Sequence, residues 1–558
     1  MNVGQRYSEE KVSGQQYDVI VVGSGLGGLT VAALLAKSGK KVCVLEQHYT
    51  VGGFSQTFRR KRFEWDVGLH YVGEVQDKDS VLARLFEYIT NGALNWESMG
   101  DVYDEAIYPD ATYSFKAGEA NFVNELAKHF PKEKAALENY VRLIRKVTKS
   151  SEPHYALKVA PRFIDTLLSP LLCRSFQKYS SITVKTALEQ VTPNKKLQSV
   201  LATQWGDYGL PPQRASFVIH AMVVAHYLNG GNYPVGGSAQ LANTIVPVIK
   251  EAGGNVFVRA RVEKIIVRKG KAVGVQLKQG GEITAPMIIS DTGYVNTYGE
   301  LLADQRQMPD LRNIFKTHLQ AVPPSISHLA LYIGLNKSTK DLGLKKSNQW
   351  IFPSYDHDEN MRRFLKDPEG PFPAVYISFP SAKDPSWESR YPDRSAIEVI
   401  TLSTYEMFKK WEGTQWYDRG EDYNALKETL AQRLLKTTMD HNPSMRDCIE
   451  TYEVSTPLST KHFCGYQQGE IYGLEHTPFR YQQKWLRPHT PLRNLFLTGQ
   501  DVASNGIAGA LVGGFLTASA IMKRNVVGTA LKATKRAPTV PQIQNSDFKA
   551  GNLTQKVY

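Results

Sequence analysis

The sequence predicts an α/β fold in which one parallel sheet is assembled from three separated stretches of chain and interrupted twice by a longer α+β insertion. Three observations lead there. Gly23-Ser24-Gly25-Leu26-Gly27-Gly28 lies between the apolar run Tyr17 to Val22 and the Ala- and Leu-rich run Leu29 to Lys37. Lys41 to Leu45 is a second apolar run, ending on Glu46. Near the far end, Asn494 to Thr498 is a third, followed by Gly499, Gln500 and Asp501.

Each piece has a physical reading. Strand, tight turn and helix form the context in which a G-x-G-x-x-G pattern cradles a pyrophosphate. Gly23 allows the turn, Gly25 lets backbone approach the phosphates and Gly28 lets helix and strand pack closely, while the helix start offers free N–H groups and a positive dipole end. Glu46 stands about 20 residues beyond the glycines, where an acid accepts hydrogen bonds from an adenosine ribose. Together these describe a Rossmann-like dinucleotide-binding domain. Gly52-Gly53 adds a second place where backbone can pass close to phosphate. Gly506-Ile507-Ala508-Gly509-Ala510 opens a small-residue helix to Met522 that can return to the sheet and set its N-terminus against a ribityl chain or isoalloxazine. That closure selects FAD over NAD, bound non-covalently because no flavin-linking residue can be singled out. The helix is short and weakly apolar for a membrane span.

At 558 residues, with 42% hydrophobic and 22% charged side chains, the chain can fill two or more globular domains. Lys and Arg number 67 against 54 Asp and Glu, a net charge of +13 that favours anionic partners. Lipid headgroups fit better than nucleic acid, since no zinc-finger, helix-turn-helix or RNA-binding signature accompanies the charge. Cys43, Cys173, Cys448 and Cys464 are widely spaced, without metal-like grouping, and fit a reducing compartment. Met1 to Gln16 is polar and shows no secretory signal, so the expected location is cytoplasmic, with contact to a membrane surface.

Element patterning divides the chain into a first nucleotide-binding part (17–79), a mostly helical insertion (80–226), a second nucleotide-binding part (227–300), a mixed insertion (301–464) and a third nucleotide-binding part (465–525). The remainder (526–558) reads as a mobile, solvated basic tail, with Lys532, Lys535, Arg536, Lys549 and Lys556 opposed by Asp547.

Five segments resemble the FAD-dependent phytoene desaturase and carotenoid isomerase group, and within it the retinol saturases: Val44 to His48, Gly68 to Gly73, Pro380 to Glu388, Tyr472 to His476 and Leu497 to Asp501. The resemblance runs over nearly the whole chain after Gln16. It implies a two-domain, amine-oxidase-like flavoprotein that reduces one double bond of an apolar polyene lipid, with NAD(P)H a candidate electron donor. Ser24, Gly27, Gln47 and Val262 join the cofactor-binding positions. Two departures stand out: Thr50 occupies a place where the group often carries Arg or Lys, and the amino-terminal targeting region of the animal enzymes has no counterpart.

A polyene has almost no hydrogen-bonding groups, so the protein must hold an apolar rod against a cofactor that supplies hydride, and one acid must supply a proton. The resemblance places His70 and Tyr71 on the flavin-facing wall as the catalytic candidates, with Tyr472 and His476 next. Asp501 reads as a hydrogen-bonding partner of the cofactor, and Lys383-Asp384-Pro385 as a structural loop. Ala160 to Leu172, bordered by Lys158, Arg162, Arg174 and Lys178, either dips into a bilayer or lines the core or substrate tunnel. The leading expectation is saturation of a retinoid, carotenoid or similar lipid. Desaturation, cis/trans isomerisation and amine oxidation are alternatives on the same fold. A non-catalytic prenyl-lipid escort, like the GDP-dissociation inhibitors, is the alternative that the intact glycines, Glu46 and the Gly499 to Ala510 closure argue against.

Overall fold

The computed structural model describes residues 3–303 and 309–535, without the side chains of residues 309 and 310. Its first sheet has six strands in the order Gln5–Arg6, Asn255–Val258, Val42–Leu45, Val19–Val22, Ile288–Ser290 and Leu495–Leu497. All neighbours are parallel. The four inner strands are covered on both faces, which is why they read as nearly continuous apolar runs rather than alternating ones. Helix Leu26–Ala36 is buried along its whole length. It packs against Gly506–Met522, where Cβ atoms at Gly513 and Gly514 would collide with the Gly499 backbone and the Thr30 side chain. The small residues of that helix therefore serve close packing inside the protein, and among the described residues no single helix is long and apolar enough to cross a membrane.

The second sheet has seven strands, ordered Ile449–Ser455, Ser327–Leu335, Ser395–Ser403, Val375–Ser378, Asn348–Ile351, Val102–Tyr108 and Ala111–Lys116. Every pair is antiparallel except Asn348–Ile351 with Val102–Tyr108. The two insertions thus share a sheet: the first, for all its helices, lends it two strands. A three-stranded antiparallel ribbon, Val262–Arg268, Lys271–Leu277 and Glu282–Thr284, flanks the dinucleotide sheet. Its first turn sits on Lys269 and Gly270, both at positive φ, as a tight hairpin requires.

One expectation is corrected. The chain does not end its folded part near residue 525: Val526–Ala533 is a helix, with Val526 and Ala530 buried and the Arg84 guanidinium bonded to the Leu531 carbonyl. An apolar stripe docks this basic stretch. Arg536, Asp547, Lys549 and Lys556 lie outside the described residues.

Candidate active site

Between the two sheets lies a cavity of about 640 Å³ whose lining falls into two sets of residues, a dinucleotide arm and an aromatic arm. The first is walled by the dinucleotide half. Gly23, Ser24, Gly25, Gly27, Glu46, Gln47, Gly52, Gly53, Val262, Gly499, Asp501 and Ile507 all line it. Gly28 stands behind the wall, where an added Cβ would meet the Gly23 carbonyl oxygen at 2.6 Å, so its part is packing. Ala508 does not line the cavity; Gly506 and Ala510 on the same helix do. Gly52 and Gly53 have φ of 118° and 56°, conformations that glycine reaches without strain. Helices Leu26–Ala36 and Gly506–Met522 both begin at this arm with no side-chain hydrogen bond from the capping residue, which sets two positive dipole ends against it.

Glu46 closes the first arm. Its Oε2 accepts from Ser24 N at 2.9 Å and Ser24 Oγ at 2.6 Å, and its Oε1 accepts from His48 N at 2.8 Å. Asp291, absent from the sequence-based set, places its carboxylate among the glycines: an added Cβ at Gly25, Gly27 or Gly499 would lie 2.5–2.6 Å from its oxygens. Burial pushes its pKa up to about 8, against hydrogen bonds from Gly28 and Gly25. A signal for Asp291 exists: it follows the buried strand Ile288–Ser290 as Glu46 follows Val42–Leu45, each at the carboxyl end of a parallel strand. Thr50 is not in the wall, and Arg261 and Lys278 bring cationic side chains to it. Asp501 works as a clamp, accepting from Tyr294 N at 2.7 Å and Leu474 N at 3.0 Å.

The second arm is lined by His70, Asp207, His328, Trp350, Tyr376 and Tyr472, with Ile400, Leu402 and Ile471 between them. Of the two catalytic candidates, only His70 faces the space. Its Nδ1 lies 2.7 Å from Glu398 Oε2, with 14% of the His70 side chain open and none of Glu398. Glu398 is the lone charge in the fully buried part of strand Ser395–Ser403, a sequence-visible oddity. Burial, then the Lys383 ammonium, lowers the His70 pKa to about 4, and burial raises that of Glu398 to about 8. Both shifts favour a protonated acid beside a neutral ring, the state in which Glu398 donates to Nδ1 and the ring proton of His70 sits on Nε2. Tyr71 is corrected: its hydroxyl sits outside the cavity wall, 3.1 Å from both Asp104 Oδ2 and Asp207 Oδ2. Its ring stacks on Tyr227 at 3.9 Å.

Tyr472 donates to the Gly206 carbonyl at 2.9 Å. His476 is fully buried away from the cavity, with Nε2 accepting from Asn505 N at 3.3 Å. The Lys383 to Pro385 loop is ordered, and Lys383 reaches the site from it, donating to the His70 carbonyl at 2.9 Å and Ser378 Oγ at 2.8 Å. Burial lowers the Lys383 pKa to about 7.

A family profile described as an NAD(P)-binding Rossmann-like domain matches residues 21–89. All-trans-retinol 13,14-reductase of Danio rerio is 36% identical over 555 residues, covering 96% of this chain and 90% of its own. The Homo sapiens protein of that name is 34% identical over 543 residues, covering 94% and 88%. Prolycopene isomerase 1 of an Oncidium hybrid cultivar is 25% identical, covering 82% and 75%. Among solved structures, cyclohexylamine oxidase from Brevibacterium oxydans superposes with a TM-score of 0.54 at 15% identity, covering 94% of this chain and 100% of its own, which shows the amine-oxidase-like fold alone. With the dinucleotide arm in place and identities of 34–36% along nearly the whole of both chains, this chain belongs to the all-trans-retinol 13,14-reductase family.

Proposed function

We propose that the chain saturates one carbon–carbon double bond of a retinoid-like polyene, using non-covalent FAD. The observation that carries this reading is the junction in one cavity of an arm made of glycines and helix starts with an aromatic arm holding the hydrogen-bonded His70–Glu398 pair. The first arm fits the dinucleotide: Gly23, Gly25, Gly27, Gly52, Gly53 and Gly499 give it a wall of backbone, two helices begin against it with their positive dipole ends, and Glu46 can take a ribose. FAD supplies the hydride when bound. The chain supplies the rest. The aromatic arm excludes water and aligns the polyene, and His70 delivers the Nε2 proton to the carbon beside the one that took hydride, while the Glu398 proton moves to Nδ1. One hydride and one proton leave a saturated bond and an anionic Glu398, reprotonated afterwards.

Anaerobic incubation of the reduced holoprotein with all-trans-retinol and a panel of carotenoids, followed by product mass, tests this. A gain of two hydrogens is the expected result; a loss of two means a desaturase, and an unchanged mass with shifted retention means an isomerase.

Peripheral attachment to an anionic membrane belongs to the same reading. On helix Arg162–Leu172, Phe163, Leu167 and Leu171 are 72%, 76% and 77% exposed, while Ile164 and Leu168 pack inward on the core. Exposed Arg162, Arg174, Lys178 and Lys484 border the stripe, and Asp165 turns inward to Arg487 at 3.5 Å. An apolar stripe rimmed by cations matches a lipid surface, where such substrates dissolve.

A further inference from the structure

The Tyr71 hydroxyl carries one proton and stands 3.1 Å from each of two carboxyl groups. It can donate to only one of them. Asp104, fully buried on strand Val102–Tyr108, also accepts from Gln204 Nε2 and Asn348 Nδ2, both at 2.9 Å. Three donors stabilise its anion, so Tyr71 donates to Asp104. Asp207 then holds a proton on Oδ2 and gives it to the Tyr71 oxygen, since a second anion across one hydroxyl would face Asp104 with no donor of its own. Burial and the neighbouring Asp104 charge push the Asp207 carboxyl the same way, well above its ordinary range. What remains is a carbonyl-like Oδ1 on a half-buried residue in the cavity wall, an acceptor in an arm otherwise lined by aromatic and aliphatic side chains, His70, His328 and Thr401.

Asp207 also has a defined place. Its carbonyl accepts from Asn505 Nδ2 at 2.5 Å, and that of Gly206 from the Tyr472 hydroxyl at 2.9 Å. Asn505 immediately precedes the helix whose first residues line the dinucleotide arm, so Asp207 sits where the two arms meet. In a polyene that ends in a primary alcohol, the last double bond is one carbon from the carbinol carbon. A hydroxyl held at the junction presents that terminal double bond there and sends the rest of the chain into the aromatic arm.

We propose that Asp207 is the specificity-determining residue for the alcohol end of the substrate: its Oδ1 accepts the hydroxyl proton, with Tyr71 and Asp104 as positioning residues, and this contact selects both the free alcohol and the double bond that is reduced. The inference rests on the polyene reading above. A hydrocarbon, ester or methyl-ether end offers no proton to Oδ1 and leaves it desolvated without a partner, at an expected cost of about 10- to 100-fold in affinity.

The test compares wild-type, Asp207→Leu and Asp207→Asn holoproteins, matched for flavin content and circular dichroism, with all-trans-retinol and its methyl ether. Binding is read by fluorescence titration of the oxidised protein, and KM, kcat and product bond position by turnover. Wild-type protein is expected to favour the alcohol by 10- to 100-fold. Asp207→Leu should lose that preference, with KM for the alcohol rising toward that for the ether, and scatter the reduced position; Asp207→Asn, which keeps an acceptor oxygen, should restore most of the preference. A persistent alcohol preference in Asp207→Leu overturns the assignment, and so does an equal fall of kcat on both compounds, which would make Asp207 part of the chemistry. If wild-type protein reduces no polyene, the saturase reading fails, yet the titration still decides whether Asp207 reads the hydroxyl.

Discussion

On the dinucleotide side of the cavity the wall is mostly backbone: glycines at 23, 25, 27, 52, 53 and 499, and two helix starts. On the substrate side it is side chains, carried by strands and turns that are remote in sequence; His70 and Glu398, in contact, are 328 residues apart. A backbone wall tolerates no added atom but is indifferent to most neighbouring side chains. A side-chain wall accepts substitution sterically and loses one chemical function at a time.

This contrast is open to direct attack. The largest effect is expected from Gly25→Val, whose Cβ would start 2.5 Å from Asp291 Oδ2. That oxygen ends a side chain and can swing away, so the protein should fold but purify colourless; full flavin absorbance would break the assignment of the backbone arm. His70→Ala strikes the other arm. It should retain flavin and its reduction while slowing product formation by about 10²- to 10⁴-fold, the range for a positioned acid. Rapid mixing of the reduced protein with polyene measures this, and an unchanged reoxidation rate removes His70 from the mechanism.

Leu167→Asp with Leu171→Asp touches neither arm, since both side chains are exposed. Melting temperature should barely move, whereas binding to anionic vesicles should fall about 100-fold; equal binding would eliminate this helix as an anchor. Glu46→Ala mixes the two kinds of wall, because its carboxylate also holds Ser24 and His48. Loss of charge-assisted hydrogen bonds should weaken FAD by about ten- to a hundredfold in a titration of apoprotein, and unaltered affinity would place the ribose elsewhere.

The smallest effect is on pH dependence. Burial raises the Glu398 pKa from 4.5 to about 8, so the folded protein keeps a proton that the unfolded chain releases. That contribution to stability is whole below pH 4.5 and disappears as pH rises through 8. Glu398→Gln, which can still donate to His70 Nδ1, should flatten this part of the melting-temperature profile. A profile parallel to wild type would mean that Glu398 is ionised in the folded protein.

The dinucleotide arm is legible from residue order alone, because its meaning is local: turn, helix start and ribose acid follow one another within 24 residues, from Gly23 to Glu46, and each spacing has one steric reading. His70 was legible only through resemblance, and its neighbour Tyr71 was misplaced because successive residues of an extended segment face opposite ways. The other arm depends on packing. Glu398, Lys383, Asp104 and Asp207 are brought together by a seven-stranded sheet built from both insertions, and no local pattern encodes which buried carboxyl meets which hydroxyl. Whether Phe163, Leu167 and Leu171 faced core or surface also waited on packing, since an amphipathic helix carries the same apolar spacing either way. Burial then set the protonation of the acid pairs, a property of the assembled surroundings and not of any residue type.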